Sequence, residues 1–225
     1  MPTPLRPIVR LALGSCLLAA LTLIGCLHAE PADDSLRAYA VDILQPPSES
    51  RSGTGIYLGK GLVITAAHVV HGTPGVRIAG LDLPASVIKQ GAFEDVDLTL
   101  LSIDAQRLPA RLQLLSLSLC QNPPWPDDPV IVAVPEATAP SHIMSPSLLP
   151  PAVRSKFSTV ISDVATTGNS GSGVFDTRSK CLLGIMSRKI MAGAADEPAS
   201  RLKDLAKYFV PAWTIAKFIP AEYGF

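Results

Sequence analysis

Residues 166–176 read TTGNSGSGVFD, two serines set among three glycines. A serine hydroxyl is a weak nucleophile until a base takes its proton, and the natural base is a histidine oriented by a carboxylate. The chain has four histidines, His28, His68, His71 and His142, and all precede this stretch. His68 follows the apolar run LVIT after two alanines, whose small side chains let an imidazole lie close to a strand wall. His71, next to Gly72, has no such setting, and an HxxH metal reading of His68 and His71 lacks further ligands. In EDVDLTLLSID, Asp97 leads directly into the buried-type run LTLL. A carboxylate there is costly unless it is hydrogen-bonded, and a histidine Nδ1–H is a fitting partner. Asp95, two residues earlier, reads as solvated. An acyl-transfer nucleophile also needs backbone N–H groups beside it for the oxyanion. Gly168 lets the chain approach a substrate carbonyl without a Cβ, so its N–H and that of Ser170 can converge on one point. Ser172 has Ser170 where that glycine is required. The expectation is therefore His68 as base, Asp97 as its orienter, Ser170 as nucleophile, Gly168 and Ser170 as oxyanion donors, and Ser172 as a locally bonded turn residue.

The order histidine, aspartate, serine bears on the fold. No histidine follows Ser170, which excludes the nucleophile–acid–histidine order of the α/β-hydrolases, and Ser172 breaks their G-x-S-x-G elbow. From about residue 37 short β-rich runs alternate with turn residues: RAYAVDIL, the hairpin TGIYLG–KG–LVIT, VRIAG, LPASVIKQ, DLTLLSID, PVIVAVP, STVISD, GSGVFD and CLLGIMSRK. This density of short strands predicts an all-β sandwich or barrel. Helical spacing appears late, in PASRLKDLAKYF from near Ser200 and in PAWTIAKFI (211–219), with Pro211 in the first turn and Trp213, Ile215, Phe218 and Ile219 on an apolar side. The 21 prolines crowd into QNPPWPDDP (121–129) and VPEATAPSHIMSPSLLPP (134–151), which predicts loops there.

The N-terminus reads as an address. Arg6 and Arg10 precede an uncharged apolar run, the pattern of an export signal over residues 1–25. LIGC (23–26) fits a bacterial lipobox, with Cys26 as the lipidated first residue, 26–36 as a polar tether, and the periplasmic face of the outer membrane as the end point. The alternative is ordinary cleavage after Ala29 and a soluble periplasmic or secreted protein. Removing residues 1–25 takes away Arg6 and Arg10 and no acid, leaving 17 basic and 19 acidic residues, a balance with no electrostatic footprint for nucleic acid. The body keeps Cys120 and Cys181, an even pair in an exported chain and a candidate disulfide.

Taken together, SGTGIYLGKGLVITAAHVV, DVDLTLL and GNSGSGVFD resemble, in that order, the histidine, aspartate and serine motifs of the trypsin-like (chymotrypsin-fold) serine peptidases. The nearest likeness is to short bacterial members of the glutamyl-endopeptidase and HtrA kind without a PDZ domain, over about residues 39–219. The resemblance implies two six-stranded antiparallel β-barrels with a short C-terminal helix, a peptidase domain over 37–222 with a barrel boundary near 105–128, and a site in the cleft between barrels. It implies an endopeptidase acting on proteins or peptides through an acyl-enzyme, with no cofactor and no metal. Asn169 stands where the animal enzymes carry the aspartate of their zymogen switch. CLLGIMSRK resembles the strand that binds substrate backbone. By the same resemblance Val164, Ala165 and Met186 line the primary pocket and the Ser187 backbone pairs with substrate, which predicts a small or medium apolar residue before the cleaved bond. The alternative reading is an inactive barrel of this type that works as a periplasmic binding module.

Overall fold

The hairpin expected from TGIYLG and LVIT is present. Gly53–Gly59 (β2) pairs with Leu62–Thr65 (β3). They turn through Lys60 and Gly61, both at positive φ (52° and 79°), as a tight hairpin turn matched to strand twist demands. It sits in the computed structural model of the chain, which describes residues 34–45, 53–162, 170–192 and 203–224. Cys26, Val164, Ala165 and Gly168 lie outside the described residues.

The first sheet adds Ala40–Leu44 (β1), Gly75–Ile78 (β4), Leu81–Pro84 (β5), Ser86–Gln90 (β6) and Thr99–Ser102 (β7) in the order β5-β4-β1-β2-β3-β7-β6. This is a seven-stranded sheet where six strands in a barrel were expected. The difference lies at Ala85, which alone separates β5 from β6. Before it the chain pairs with β4 as one edge of the sheet, and after it with β7 as the other. One bent strand thus links both edges, and covalent continuity through Ala85 does what a last ladder would do. Val41, Ile43, Tyr57, Val63, Val76, Leu83 and Leu101 fill the space so enclosed.

The second sheet is a closed barrel, β10-β13-β12-β11-β8-β9. Its strands are Pro129–Ala133 (β8), Thr138–Met144 (β9), Val160–Ile161 (β10), Gly173–Asp176 (β11), Leu182–Ala192 (β12) and Lys203–Pro211 (β13). Each contributes to its interior, through Val130, Val132, Ile143, Ile161, Val174, Leu183, Met186 and Phe209. A third apolar layer joins the sheets: Ile56, Leu58, Ile64, Leu98 and Leu100 from the first meet Phe175, Leu182, Ile185 and Val210 from the second. The helix Ala212–Phe218 covers them with Ile215 and Phe218.

Four local expectations change. Residues 138–144, read as proline-rich loop, form β9. Its His142 carbonyl faces away from β8 to accept the Ser162 N–H at 3.1 Å. Pro140 shares that parity, and β10 pairs only with Ile143 and Met144, so no ladder bond is asked of the proline nitrogen. The helix expected from near Ser200 is replaced over Lys203–Pro211 by β13. Leu202, Leu205, Ala206 and Phe209 happen to fall at helical spacing, but a strand paired on both sides and buried on both faces carries apolar residues without alternation. Trp213 is 39% exposed rather than on the apolar side of its helix. Leu36, assigned to the tether, is 1% exposed and belongs to the layer between the sheets, so the folded body reaches back past residue 37.

The connection between sheets is tied down. The Ser118 carbonyl accepts the Leu182 N–H at 2.9 Å, and Cys120 N–H donates to the Leu182 carbonyl at 3.0 Å. Cys120 is bonded to Cys181, with Cα atoms 5.1 Å apart and a sequence separation of 61. Closing a loop of that size in the unfolded chain is worth about 4 kcal/mol in the chain-entropy model. The Cys120→Ala/Cys181→Ala variant is expected to unfold at lower urea concentration by about that free energy. An unchanged midpoint and slope would show that the bridge contributes nothing.

Candidate active site

The first sheet supplies the histidine and the acid. After β3 the chain passes through buried Ala66 into a single 3-10 turn, Ala67–Val69, which carries His68. Asp97 closes the turn before β7, where Gly91 N–H donates to the Leu98 carbonyl at 2.8 Å. A Cβ on Gly91 would lie 2.0 Å from the Val96 carbonyl oxygen, so the turn needs glycine. The Asp97 side chain is 1% exposed. Its Oδ1 accepts the His68 backbone N–H at 3.1 Å, and His68 Nδ1 stands 2.8 Å from Oδ2. A carboxylate only accepts, so Nδ1 carries the hydrogen and the neutral ring keeps its lone pair on Nε2. Asp95 is exposed, as expected.

Oδ2 has a second donor, from the other sheet. Ser187 Oγ–H reaches it at 2.6 Å. Burial raises the Asp97 pKa, but the bonds from His68 and Ser187 and the His68 charge outweigh it and hold the carboxyl below its ordinary 3.8. Ser187 was expected to serve through its backbone; the role of its hydroxyl was not legible in sequence, since it depends on which strand of one barrel faces which turn of the other. Ser187 Oγ in turn accepts from Arg188 Nε at 3.3 Å. The Arg188 guanidinium lies 3.7 Å above the Phe93 ring, and its Nη2 donates to the Phe93 carbonyl. The Phe93 ring stands edge-on to His68 at 5.1 Å. Arg188 and Phe93 therefore wall one side of the histidine.

Ser170 is held by both sheets. Its carbonyl accepts the Thr54 N–H of β2 at 3.0 Å, while Gly171 N–H donates to the Met186 carbonyl of β12 at 2.8 Å. Gly171 has φ +90°, and a Cβ there would lie 1.8 Å from the Thr54 oxygen, so glycine alone permits this approach. Ser172 is fully buried, and its hydroxyl bonds across the interface to Thr54 Oγ1 at 3.1 Å. The Ser170 hydroxyl, half-buried, donates to the Ser187 carbonyl at 3.3 Å. The two hydroxyls thus differ: Ser172 is locked between barrels, and Ser170 opens toward the Ser187 strand. Met186 packs inside the second barrel with Phe209.

The family model of the trypsin-like peptidase domain matches residues 53–185, more than half of the chain. The chain belongs to the trypsin-like peptidases. No curated protein sequence matches it. Solved structures share its fold at low identity. The active form of the Rv3671c protease of M. tuberculosis is 18% identical with a TM-score of 0.59, over 96% of this chain and 92% of that one. The MamO protease domain of Magnetospirillum magneticum is 20% identical at 0.57, over 82% and 97%. Kallikrein-related peptidase 10 is 16% identical at 0.62, over 83% and 95%. The histidine, aspartate and second-barrel strand of this trypsin-like peptidase thus meet around one buried carboxylate.

Ser187→Ala removes one donor to that carboxylate. The expected cost at pH 7 is about 1–3 kcal/mol of stability by urea denaturation. Because the folded pKa of Asp97 is depressed, the stabilisation is present above the unfolded value near 4 and is lost as pH falls through the folded one. The difference between wild type and variant should therefore shrink below about pH 4.

Proposed function

We propose that this trypsin-like peptidase is a serine endopeptidase with Ser170 as nucleophile. The observation that carries the reading is the Asp97–His68 pair, which keeps the lone pair on Nε2; Ser187 links it to the nucleophile, its hydroxyl bonded to Asp97 and its carbonyl to the Ser170 hydroxyl. For attack, the Ser170 hydroxyl leaves the Ser187 carbonyl by rotation about its Cα–Cβ bond, a rapid motion for a side chain that is not fully buried. His68 Nε2 takes the proton as Oγ bonds to the substrate carbonyl carbon. The N–H groups of Ser170 and Gly168 receive the oxyanion. Collapse breaks the C–N bond, His68 returns the proton to the leaving amine, and water repeats the sequence on the acyl-enzyme. Asp97, with Ser187 behind it, fixes the tautomer and faces the imidazolium.

The reading extends to where the protein works. Residues 1–25 direct export, Cys26 receives lipid, and the barrels stand at the periplasmic face of the outer membrane. A disulfide between Cys120 and Cys181 suits such an oxidising compartment.

A fluorophosphonate probe should label wild type at Ser170 and leave Ser170→Ala unlabelled, with the fold of the variant intact. His68→Ala should lose labelling and peptide cleavage nearly as fully, since these groups act as a unit. Ser172→Ala should still label. A wild type that binds peptides and does not label is instead the inactive barrel. For location, Cys26→Ala beside wild type should move the protein from the membrane fraction to the soluble one. A soluble wild type whose N-terminus is Glu30 would show cleavage after Ala29 and no anchor.

A further inference from the structure

A recess of about 600 Å³ lies where the chain passes from one barrel to the other. Leu58 and Lys60 of the β2–β3 hairpin, Leu117 and Leu119 of the connection, and Trp213 and Lys217 of the helix Ala212–Phe218 line it. None of His68, Asp97, Ser170 or Ser187 is among its lining residues. A space of this size holds a small molecule.

Its floor is aliphatic. Leu58 and Leu117 are 1% and 4% exposed and belong to the layer between the sheets. Ala212 and Ala216 also face the recess, one helical turn apart. Neither has a side chain beyond Cβ, so the helix leaves a trough along that row. Trp213 and Lys217 form the next row at the same spacing. The half-covered indole is thus a wall of the trough, and the ammonium stands one turn further on.

The polar side carries one sign. Lys60, in the hairpin turn, and Lys217, in the last helical turn, are both exposed. Among the described residues neither ammonium has a carboxylate or hydrogen-bond partner, and none of the residues lining the recess is acidic. An apolar trough with two such cations complements a molecule that is apolar along its length and anionic at one end. A carboxylate gains attraction from both ammoniums while the lysine stems cover part of its chain. An alcohol of the same length gains only burial. An acyl chain has no backbone N–H or C=O to desolvate on that floor, as a peptide has.

We propose that this recess binds a single-chain fatty acid, its acyl chain against Leu58, Leu117, Leu119 and Trp213 and its carboxylate met by Lys60 and Lys217. Such a ligand touches both barrels and the connection between them.

The test uses the chain with Cys26→Ala, so that no lipid of its own competes, and Trp125→Phe, which leaves Trp213 as the one tryptophan. Dodecanoate, kept below its micelle-forming concentration, is titrated by Trp213 emission and by calorimetry. A saturable blue shift with one site per chain is expected. Dodecanoate should bind about tenfold more tightly than octanoate, and about tenfold more tightly than dodecanol. Lys60→Gln/Lys217→Gln should weaken dodecanoate about tenfold and leave dodecanol unchanged, a pattern that loss of the fold does not produce. Ala216→Phe should fill the trough and abolish binding of both. No saturable binding, equal binding of acid and alcohol, or undiminished dodecanoate binding in either variant overturns the proposal. So does a protein that ignores dodecanoate and takes only phosphatidylglycerol vesicles or an acidic peptide, since the recess would then face a membrane or a protein.

Discussion

A single buried carboxylate organises this molecule. Removing an ionised Asp97 from water costs several kcal/mol unless donors replace its hydration. The fold provides them from two directions: the His68 backbone and ring from the first sheet, and the Ser187 hydroxyl from the second. Neither sheet satisfies Asp97 alone. The apolar layer between them, from Ile56 and Leu100 to Phe175 and Val210, brings the donors within reach. The Arg188–Phe93 stack closes the open side of the same group. Affinity between barrels and orientation of the histidine are thus one arrangement seen from two sides.

The serine loop obeys a related geometric limit. Thr54 of one barrel and Met186 of the other bond consecutive residues of that loop, and the left-handed Gly171 lets two backbones pass where a side chain would collide. Gly171 is there less for freedom of movement than for closeness. The backbone of Ser170 and Gly171 is tied to both sheets, and the Ser170 hydroxyl keeps its rotation.

Much of this was legible because local chemistry and tertiary role agree. The β2–β3 hairpin carries its turn residues, His68 follows a strand and two small residues, and Asp97 opens a buried strand. The tertiary meeting of His68 and Asp97 follows from their adjacency across β3 and β7. Where local pattern and context disagree, the sequence misleads. Pro140 signals a loop, yet it occupies the one backbone parity of β9 at which a missing N–H is harmless. β13 has helical spacing because it is paired on both sides and packed on both faces, so it reads as a helix. The Ser187 hydroxyl matters only through a residue 90 positions away, and no local signal encodes that. The bend at Ala85 is likewise invisible to strand counting, since LPASVIKQ reads as one run and pairs as two.

Chain order gives the closed barrel a temporal meaning. Of its six strands, β13 is the last to be synthesised, and it alone bridges β10 and β12. Before Lys203–Pro211 has been added, the strand bearing Ser187 has no neighbour on one side, and the helix that covers the layer between barrels is missing. A growing chain therefore carries the residues proposed for peptide cleavage long before it can assemble them. Closure of the second barrel around the Ser187 strand thus depends on the last strand of the chain.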